Sequence, residues 1–91
     1  MAKQKILIAD DEAQIREILR IYFEKEGFEV IEAEDGAAAI LKVQSEKPDI
    51  LLLDIEMPGM DGVSLARKVR REDGNVQIIF VTGYSDYIAQ G

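Results

Sequence analysis

Apolar residues are grouped along the chain with two different periods, one typical of strands and one typical of helices. Four short runs are apolar almost throughout, and the segments between them carry apolar residues three or four positions apart. A continuous apolar run that ends at polar residues predicts a buried strand. The predicted strands are Lys5–Ala9, Phe28–Ala33, Asp49–Asp54 and Val76–Val81. The second alternates loosely between apolar and polar residues, which predicts a more exposed strand.

Three segments with helical spacing lie between these strands. The first carries its apolar residues at Ile15, Ile18, Leu19, Tyr22 and Phe23. We expect this helix to stop at Gly27, because glycine readily adopts the backbone conformation that ends a helix. The second helix is predicted over Ala37–Gln44, after a turn in which Asp35 is a candidate N-cap. The third is predicted over Val63–Arg71.

The residues that follow the predicted strands are mostly acidic. Strands that alternate with helices predict βαβ units and a parallel sheet. Such sheets bind ligands at the carboxyl ends of their strands. The residues at these ends are Asp10, Asp11, Glu34, Asp54, Thr82 and Gly83. We therefore expect carboxylates and a hydroxyl to converge on one edge of the sheet.

Composition limits the chemistry that this edge can perform. The chain has 91 residues, of which 47% are apolar, and this predicts one small globular domain over residues 1–91. It contains no Cys and no His, which excludes thiol chemistry, Cys-ligated metal sites and imidazole catalysis. The remaining donors are mainly oxygen atoms, which suit hard cations such as Mg²⁺.

The charge balance bears on partners and location. The chain has 11 Lys and Arg residues against 18 Asp and Glu residues, so its formal net charge is −7. An acidic surface disfavours nucleic acids and anionic membranes. No apolar run approaches the length of a membrane span. We therefore expect a cytoplasmic protein that binds neither nucleic acid nor membrane.

Three carboxylates at one edge are costly unless a cation binds between them or one of the acids is protonated. Two like charges about 4 Å apart repel by roughly 4 kcal/mol at an effective dielectric constant of about 20. We expect Asp10, Asp11 and Asp54 to hold Mg²⁺. The alternative is that Asp10 or Asp11 caps the first helix, although capping does not explain Asp54. Asp54 is the candidate nucleophile toward a phosphoryl group. The Thr82 hydroxyl is either its partner or an ordinary strand terminus.

Three motifs together resemble the receiver domain of two-component response regulators. They are IADDE with its paired acids, DILLLD followed by MPGMDG, and IIFVTG. The resemblance covers nearly the whole chain. It implies an α/β, flavodoxin-like fold, which is a parallel sheet with flanking helices and, here, the strand order 2-1-3-4.

The resemblance also implies a role for each matching residue. Asp54 becomes the phosphorylation site, and Asp10 and Asp11 become the acid pair that holds Mg²⁺. The backbone carbonyl of Glu56 becomes a further metal ligand, and Thr82 becomes the switch hydroxyl that moves toward the phosphoryl group. The donor in this family is a His of a partner histidine kinase or phosphotransfer protein. A chain without His is then the receiving end, and no independent enzymatic turnover is expected.

The chain also departs from the family pattern. The family has a fifth strand that ends in a Lys, followed by a fifth helix, and we expect this chain to be a receiver truncated before both. The Val76–Val81 strand then becomes an apolar edge, which favours a homo-oligomer through that edge or through exchange of the C-terminal segment. The main hypothesis is a phosphorelay receiver domain. The alternative is an engineered or truncated fragment that acts as a self-associating structural module with impaired phosphorylation.

Overall fold

The computed structural model of the protein describes residues 3–54, 62–72 and 74–81. Strands and helices alternate along the described chain. In chain order they are β1 (Lys5–Ala9), α1 (Ala13–Lys25), β2 (Glu29–Ala33), α2 (Gly36–Glu46), β3 (Ile50–Asp54), α3 (Gly62–Glu72) and β4 (Gln77–Val81). None of the helices in these ranges combines the length and the apolar character that a membrane crossing requires.

The four strands form one parallel sheet in the order β2-β1-β3-β4, which confirms the predicted order. Ala9 at the end of β1 is in register with Ala33 of β2 and with Leu53 of β3. Because these strands run in the same direction and end level with one another, the residues that follow them emerge at the same edge. This register places the candidate site.

The larger part of the hydrophobic core lies on the face of the sheet that α2 and α3 cover. Its buried residues are Leu7, Ala9, Ala33, Ala39, Val43, Leu51, Leu53, Leu65, Val69 and Val76. Side chains alternate between the two faces of a strand, so β1 contributes Leu7 and Ala9 to this cluster and its other apolar residues to the opposite face. Burial of β1 and β3 on both faces confirms the prediction from their continuous apolar runs.

The opposite face carries α1 and a smaller cluster. Its buried members are Ile6, Ile8 and Leu52, and partly buried residues that include Leu19 and Phe23 of α1 pack against them. The outer side of α1 leaves three large apolar side chains exposed, namely Ile18, Ile21 and Tyr22. In the described part of the chain, this face therefore has the thinner cover.

Helix α1 ends where Gly27 adopts a φ of 94°. The Gly27 N–H donates to the Glu24 carbonyl at 3.1 Å, and the Phe28 N–H donates to the Phe23 carbonyl at 3.0 Å. These two bonds satisfy carbonyls that the end of a helix would otherwise leave without donors. The rings of Phe23 and Phe28 meet edge to face with centroids 5.6 Å apart, which anchors the start of β2 on α1. The predicted stop at Gly27 is confirmed.

Helix α2 begins after Asp35, whose side chain accepts a hydrogen bond from the Ala38 N–H at 2.8 Å. The predicted N-cap is therefore confirmed. The helix continues to Glu46, beyond the predicted end at Gln44. The spacing of apolar residues indicates only the part of the helix that is buried. The backbone hydrogen bonds of the helix continue beyond it until Pro48, which cannot donate one, prevents further helix.

Candidate functional site

Three carboxylates lie together at the carboxyl edge of the sheet. Asp10 and Asp11 follow β1, and Asp54 is the last residue of the adjacent strand β3. One carboxylate oxygen of each residue lies within 4.8 Å of those of the other two. We call these three residues the acidic cluster. The strand ends predict this convergence, and the structure places the side chains accordingly.

The three carboxylates differ in their access to solvent. Asp10 is buried, with 4% of its surface exposed. Asp54 is partly buried, and Asp11 is exposed. The acidic cluster is therefore closed toward the sheet and open at Asp11, where an ion can enter from solvent.

The backbone around Asp10 is held at three points. Its N–H donates to the Ala33 carbonyl at 3.1 Å. Its Oδ1 accepts from the Glu12 N–H at 2.9 Å, and its carbonyl oxygen accepts from Arg16 Nη1 at 2.6 Å. The N-cap of α1 is Glu12, which makes no side-chain cap bond. Neither Asp10 nor Asp11 is therefore the N-cap residue of α1, although Asp10 accepts a hydrogen bond from the backbone N–H of the cap residue.

The pKa of the Asp10 carboxyl is raised from 3.8 to about 6, and burial is the largest cause. The negative charges of Asp54, Asp11 and Glu12 contribute to this rise, and the hydrogen bond from the Glu12 backbone opposes it. Folding thus brings negative charges close enough to Asp10 to disfavour its ionisation. A cation in the acidic cluster would reverse this effect, since an opposite charge favours the ionised form.

The donor set of the acidic cluster fits a hard divalent cation. All three ligand atoms are carboxylate oxygens. Mg²⁺ is usually bound by one or two carboxylates together with water and phosphate oxygens. Asp11 is exposed to solvent, from which water ligands can be supplied.

Of the other residues predicted at this edge, Glu34 is the one that the structure describes. Glu34 follows β2 but does not belong to the acidic cluster. It lines an open cleft of about 400 Å³ together with Arg16 and Glu32. Glu56 and Thr82 lie outside the described residues.

Arg16 is a residue of this edge that the sequence analysis missed. Its Nη1 donates to the Asp10 carbonyl, and its Nε donates to Glu32 Oε1 at 3.1 Å. The apolar pattern of α1 contains no sign of these contacts. A usable signal was the spacing of Arg16 and Arg20, which lie four positions apart and so share one helix face beside the acidic β2.

The sequence matches known proteins along most of its length. The family model described as the response regulator receiver domain matches residues 6–90. Sporulation initiation phosphotransferase F of Bacillus subtilis strain 168 is 40% identical over 86 residues, which are 94% of this chain and 69% of that protein. Transcriptional regulatory protein ResD of the same strain is 39% identical, and the match covers 94% of this chain but only 41% of ResD.

Solved structures share the fold. A CheY-like receiver domain protein from Methanospirillum hungatei JF-1 superposes with a TM-score of 0.87 at 32% identity, over 91% of this chain and 66% of that chain. Response regulator TrrA from Thermotoga maritima, in complex with Mg(2+)-BeF, gives 0.83 at 41% identity, over 94% and 75% of the two chains.

A third structure contains histidine kinase ThkA in complex with TrrA. Its TM-score is 0.81 at 42% identity, over 92% of this chain and 72% of that chain. These similarities favour a signalling receiver over a purely structural module. The match to residues 6–90, together with the shared fold, shows that the chain belongs to the response regulator receiver domain family.

Proposed function

We propose that residues 1–91 act as one receiver domain in which Asp54 accepts a phosphoryl group from a phosphohistidine of a partner protein. The observation that carries this proposal is the acidic cluster, whose three carboxylate oxygens lie within 4.8 Å of one another at the end of β3. Membership of the receiver family supports the same assignment.

The transfer is a displacement at phosphorus. A carboxylate oxygen of Asp54 forms a bond to the phosphorus atom, and the bond between phosphorus and the imidazole nitrogen of the donor breaks. The electron pair of the broken bond stays on that nitrogen, which takes up a proton. The product is an acyl phosphate on Asp54. The protein contributes position and charge stabilisation to this step.

We propose Mg²⁺ as the cofactor, held by Asp10, Asp11, Asp54 and the backbone carbonyl of Glu56. When bound, Mg²⁺ offsets the negative charge that Asp54 and the phosphoryl group bring together. TrrA, which is in complex with Mg(2+)-BeF, supports this choice. With a pKa of about 6, the Asp10 carboxyl is largely ionised at neutral pH and can serve as a ligand.

The Thr82 hydroxyl is proposed to bind a phosphoryl oxygen, as the family resemblance implies. It follows Val81, which is in register with Asp54. We propose no independent turnover, because the sequence suggests no general base beyond the acidic cluster itself. Phosphorylation and slow hydrolysis of the acyl phosphate would then be the whole of the chemistry.

The phosphoryl donor is proposed to be a histidine kinase or a phosphotransfer protein. The complex of ThkA with TrrA supports a kinase as partner. The formal net charge of −7 supports the expectation that this domain binds no nucleic acid. Cytoplasmic location stays a prediction from the sequence.

We also propose that the chain forms homo-oligomers through β4 or by exchange of its C-terminal segment. In the described part of the chain β4 is the outermost strand on its side of the sheet, and Ile79 and Phe80 are 41% and 44% exposed. Unpaired backbone groups beside apolar side chains favour pairing with a second strand. Light scattering of the chain and of Ile79→Lys tests this: we expect a concentration-dependent mass that the substitution lowers. A mass of one chain at every concentration would contradict it.

Phosphorylation is tested by incubating the chain with acetyl phosphate and Mg²⁺, followed by intact mass and peptide mapping. We expect one phosphoryl group per chain, located on Asp54, and none on Asp54→Asn. Asp49→Asn is the matched control, because Asp49 precedes the opposite end of the same strand and is exposed. Labelling that persists in Asp54→Asn would overturn the assignment, and an unlabelled wild-type chain would favour the structural-module alternative.

A further inference from the structure

Arg16 joins the backbone of the acidic cluster to the end of β2. Its side chain is 14% exposed. One donor, Nη1, bonds to the Asp10 carbonyl at 2.6 Å, and another, Nε, bonds to Glu32 Oε1 at 3.1 Å. A planar guanidinium that holds two acceptors fixes their relative position, which an ammonium group cannot do in the same way.

The carbonyl that Arg16 binds belongs to the peptide unit between Asp10 and Asp11. Since this unit is planar, holding its oxygen limits how the two residues turn relative to each other. Asp10 is also fixed by its N–H, which donates to the Ala33 carbonyl. The side chain of Asp11 is exposed to solvent, so the direction of its carboxylate depends largely on the position of the Asp11 backbone.

Arg20 lies one helical turn further along α1 and provides an internal comparison. Its Nε lies 3.2 Å from Glu32 Oε2, and its Nη1 lies 3.9 Å from Glu24 Oε1. Within the described part of the chain these ion pairs are its polar contacts, and its Nε makes no hydrogen bond there. Arg20 thus shares Glu32 with Arg16 but does not reach the acidic cluster.

We propose that Arg16 is a positioning residue for divalent-cation binding, which it supports by fixing the peptide unit between Asp10 and Asp11. This inference rests on the proposed function. Groups that orient metal ligands without touching the metal typically alter metal affinity by about 10-fold to 100-fold when removed. The direction of the effect is diagnostic. Removing a positive charge near three carboxylates strengthens cation binding by Coulomb's law, whereas loss of positioning weakens it.

The experiment measures the Mg²⁺ dissociation constant by isothermal titration calorimetry for wild type, Arg16→Gln, Arg16→Lys and Arg20→Gln. We expect Arg16→Gln to bind Mg²⁺ about tenfold more weakly than wild type. Arg16→Lys should also bind more weakly, because it keeps the charge but loses the two-point contact. Arg20→Gln should bind like wild type. Circular dichroism melts in EDTA confirm that each variant is folded, and Arg16→Lys decides the test if Arg16→Gln does not fold.

The outcomes separate this inference from the proposed function. If wild type binds no Mg²⁺, the proposed function is contradicted and the inference fails with it. If wild type binds Mg²⁺ and the folded Arg16 variants bind as tightly or more tightly, only the inference is overturned. It is also overturned if Arg20→Gln loses as much affinity as Arg16→Gln, since loss of the ion pairs at Glu32 would then explain both.

Discussion

Two neighbouring aspartates in this chain have very different surroundings. Asp10 is buried and held by Ala33, Glu12 and Arg16, while Asp11 projects into solvent. Burial opposes ionisation of Asp10 and raises its pKa to about 6. In the absence of a cation, the negative charge of Asp10 at neutral pH is therefore less favourable in the folded protein than in the unfolded chain.

This raised pKa predicts how stability depends on pH. Because the Asp10 pKa is 3.8 when unperturbed and about 6 in the folded protein, the folded state binds the proton more tightly. The contribution of Asp10 to the free energy of unfolding therefore falls as the pH rises from about 4 to about 6. Asp10→Asn removes this titration and keeps an acceptor for the Glu12 N–H.

The measurement is urea unfolding in EDTA at several pH values. We expect the free energy of unfolding of Asp10→Asn minus that of wild type to grow by roughly 2 to 3 kcal/mol between pH values of about 4 and about 7. Asp11→Asn is the control, since it removes a carboxylate from the exposed side of the same cluster. A difference for Asp10→Asn that does not change with pH would contradict the expected contribution.

Strand ends allowed the three members of the acidic cluster to be predicted, because parallel strands bring their carboxyl ends to one edge. The strand ends did not predict that Asp10 is buried and Asp11 exposed, because the exposure of each side chain depends on how the chain turns from β1 into α1. They also placed Glu34 in the same convergence, whereas the turn after β2 leads it into the neighbouring cleft. The hydrogen bonds of Arg16 could not be predicted either, because they depend on side-chain positions that the spacing of apolar residues does not reveal.

Helix termini in this chain are set by local residues that can be recognised in advance. Asp35 caps α2, and Gly27 terminates α1. The end of α2 was predicted too early because Ser45 and Glu46, the two residues beyond the predicted end, are polar and carry no apolar signal. A helix end could therefore be predicted where it requires a particular residue, such as a capping Asp or a Gly with positive φ. It could not be predicted where the helix is continued by backbone hydrogen bonds alone.

The positive φ of Gly27 makes a specific prediction. At φ +94° a Cβ atom would meet nothing within 4 Å, so Gly27→Ala is opposed by backbone conformation and not by a clash. We expect a loss of roughly 1 to 2 kcal/mol in the free energy of unfolding. Urea unfolding of both alanine variants checks this, with Glu26→Ala as control because Glu26 is exposed beside Gly27 and has a φ of −81°. Equal stability of the two variants would argue against a conformational cause.

The two faces of the sheet contribute unequally to the core. Among the described residues, the cluster under α2 and α3 contains ten buried residues, whereas the cluster under α1 contains three. The parallel sheet, the buried central strands and the more exposed strand β2 could be predicted from the apolar pattern, whereas the strand order was implied by the family resemblance. The unequal distribution could not be predicted, because it depends on which helices cover each face.

This distribution predicts that truncation on the larger side is costly. Leu65 of α3 is 0% exposed, so we expect Leu65→Ala to lower the free energy of unfolding by roughly 2 to 5 kcal/mol. Leu41 of α2 is 64% exposed, and Leu41→Ala should change it by less than about 0.5 kcal/mol. Urea unfolding measures both. A comparable loss of unfolding free energy in the two variants would contradict the burial of Leu65 between α3 and the sheet.

The Mg²⁺ dependence of Asp54 phosphorylation is the decisive measurement for the molecule as a whole. The phosphorylated fraction is determined by intact mass after incubation with acetyl phosphate, in Mg²⁺ and in EDTA. Wild type and Glu34→Gln, whose carboxylate lies outside the acidic cluster, should be labelled in Mg²⁺ and not in EDTA. Asp11→Asn should be labelled far less in Mg²⁺. Labelling of wild type to the same extent in EDTA, or undiminished labelling of Asp11→Asn, would contradict a shared cation site that prepares Asp54 for phosphorylation.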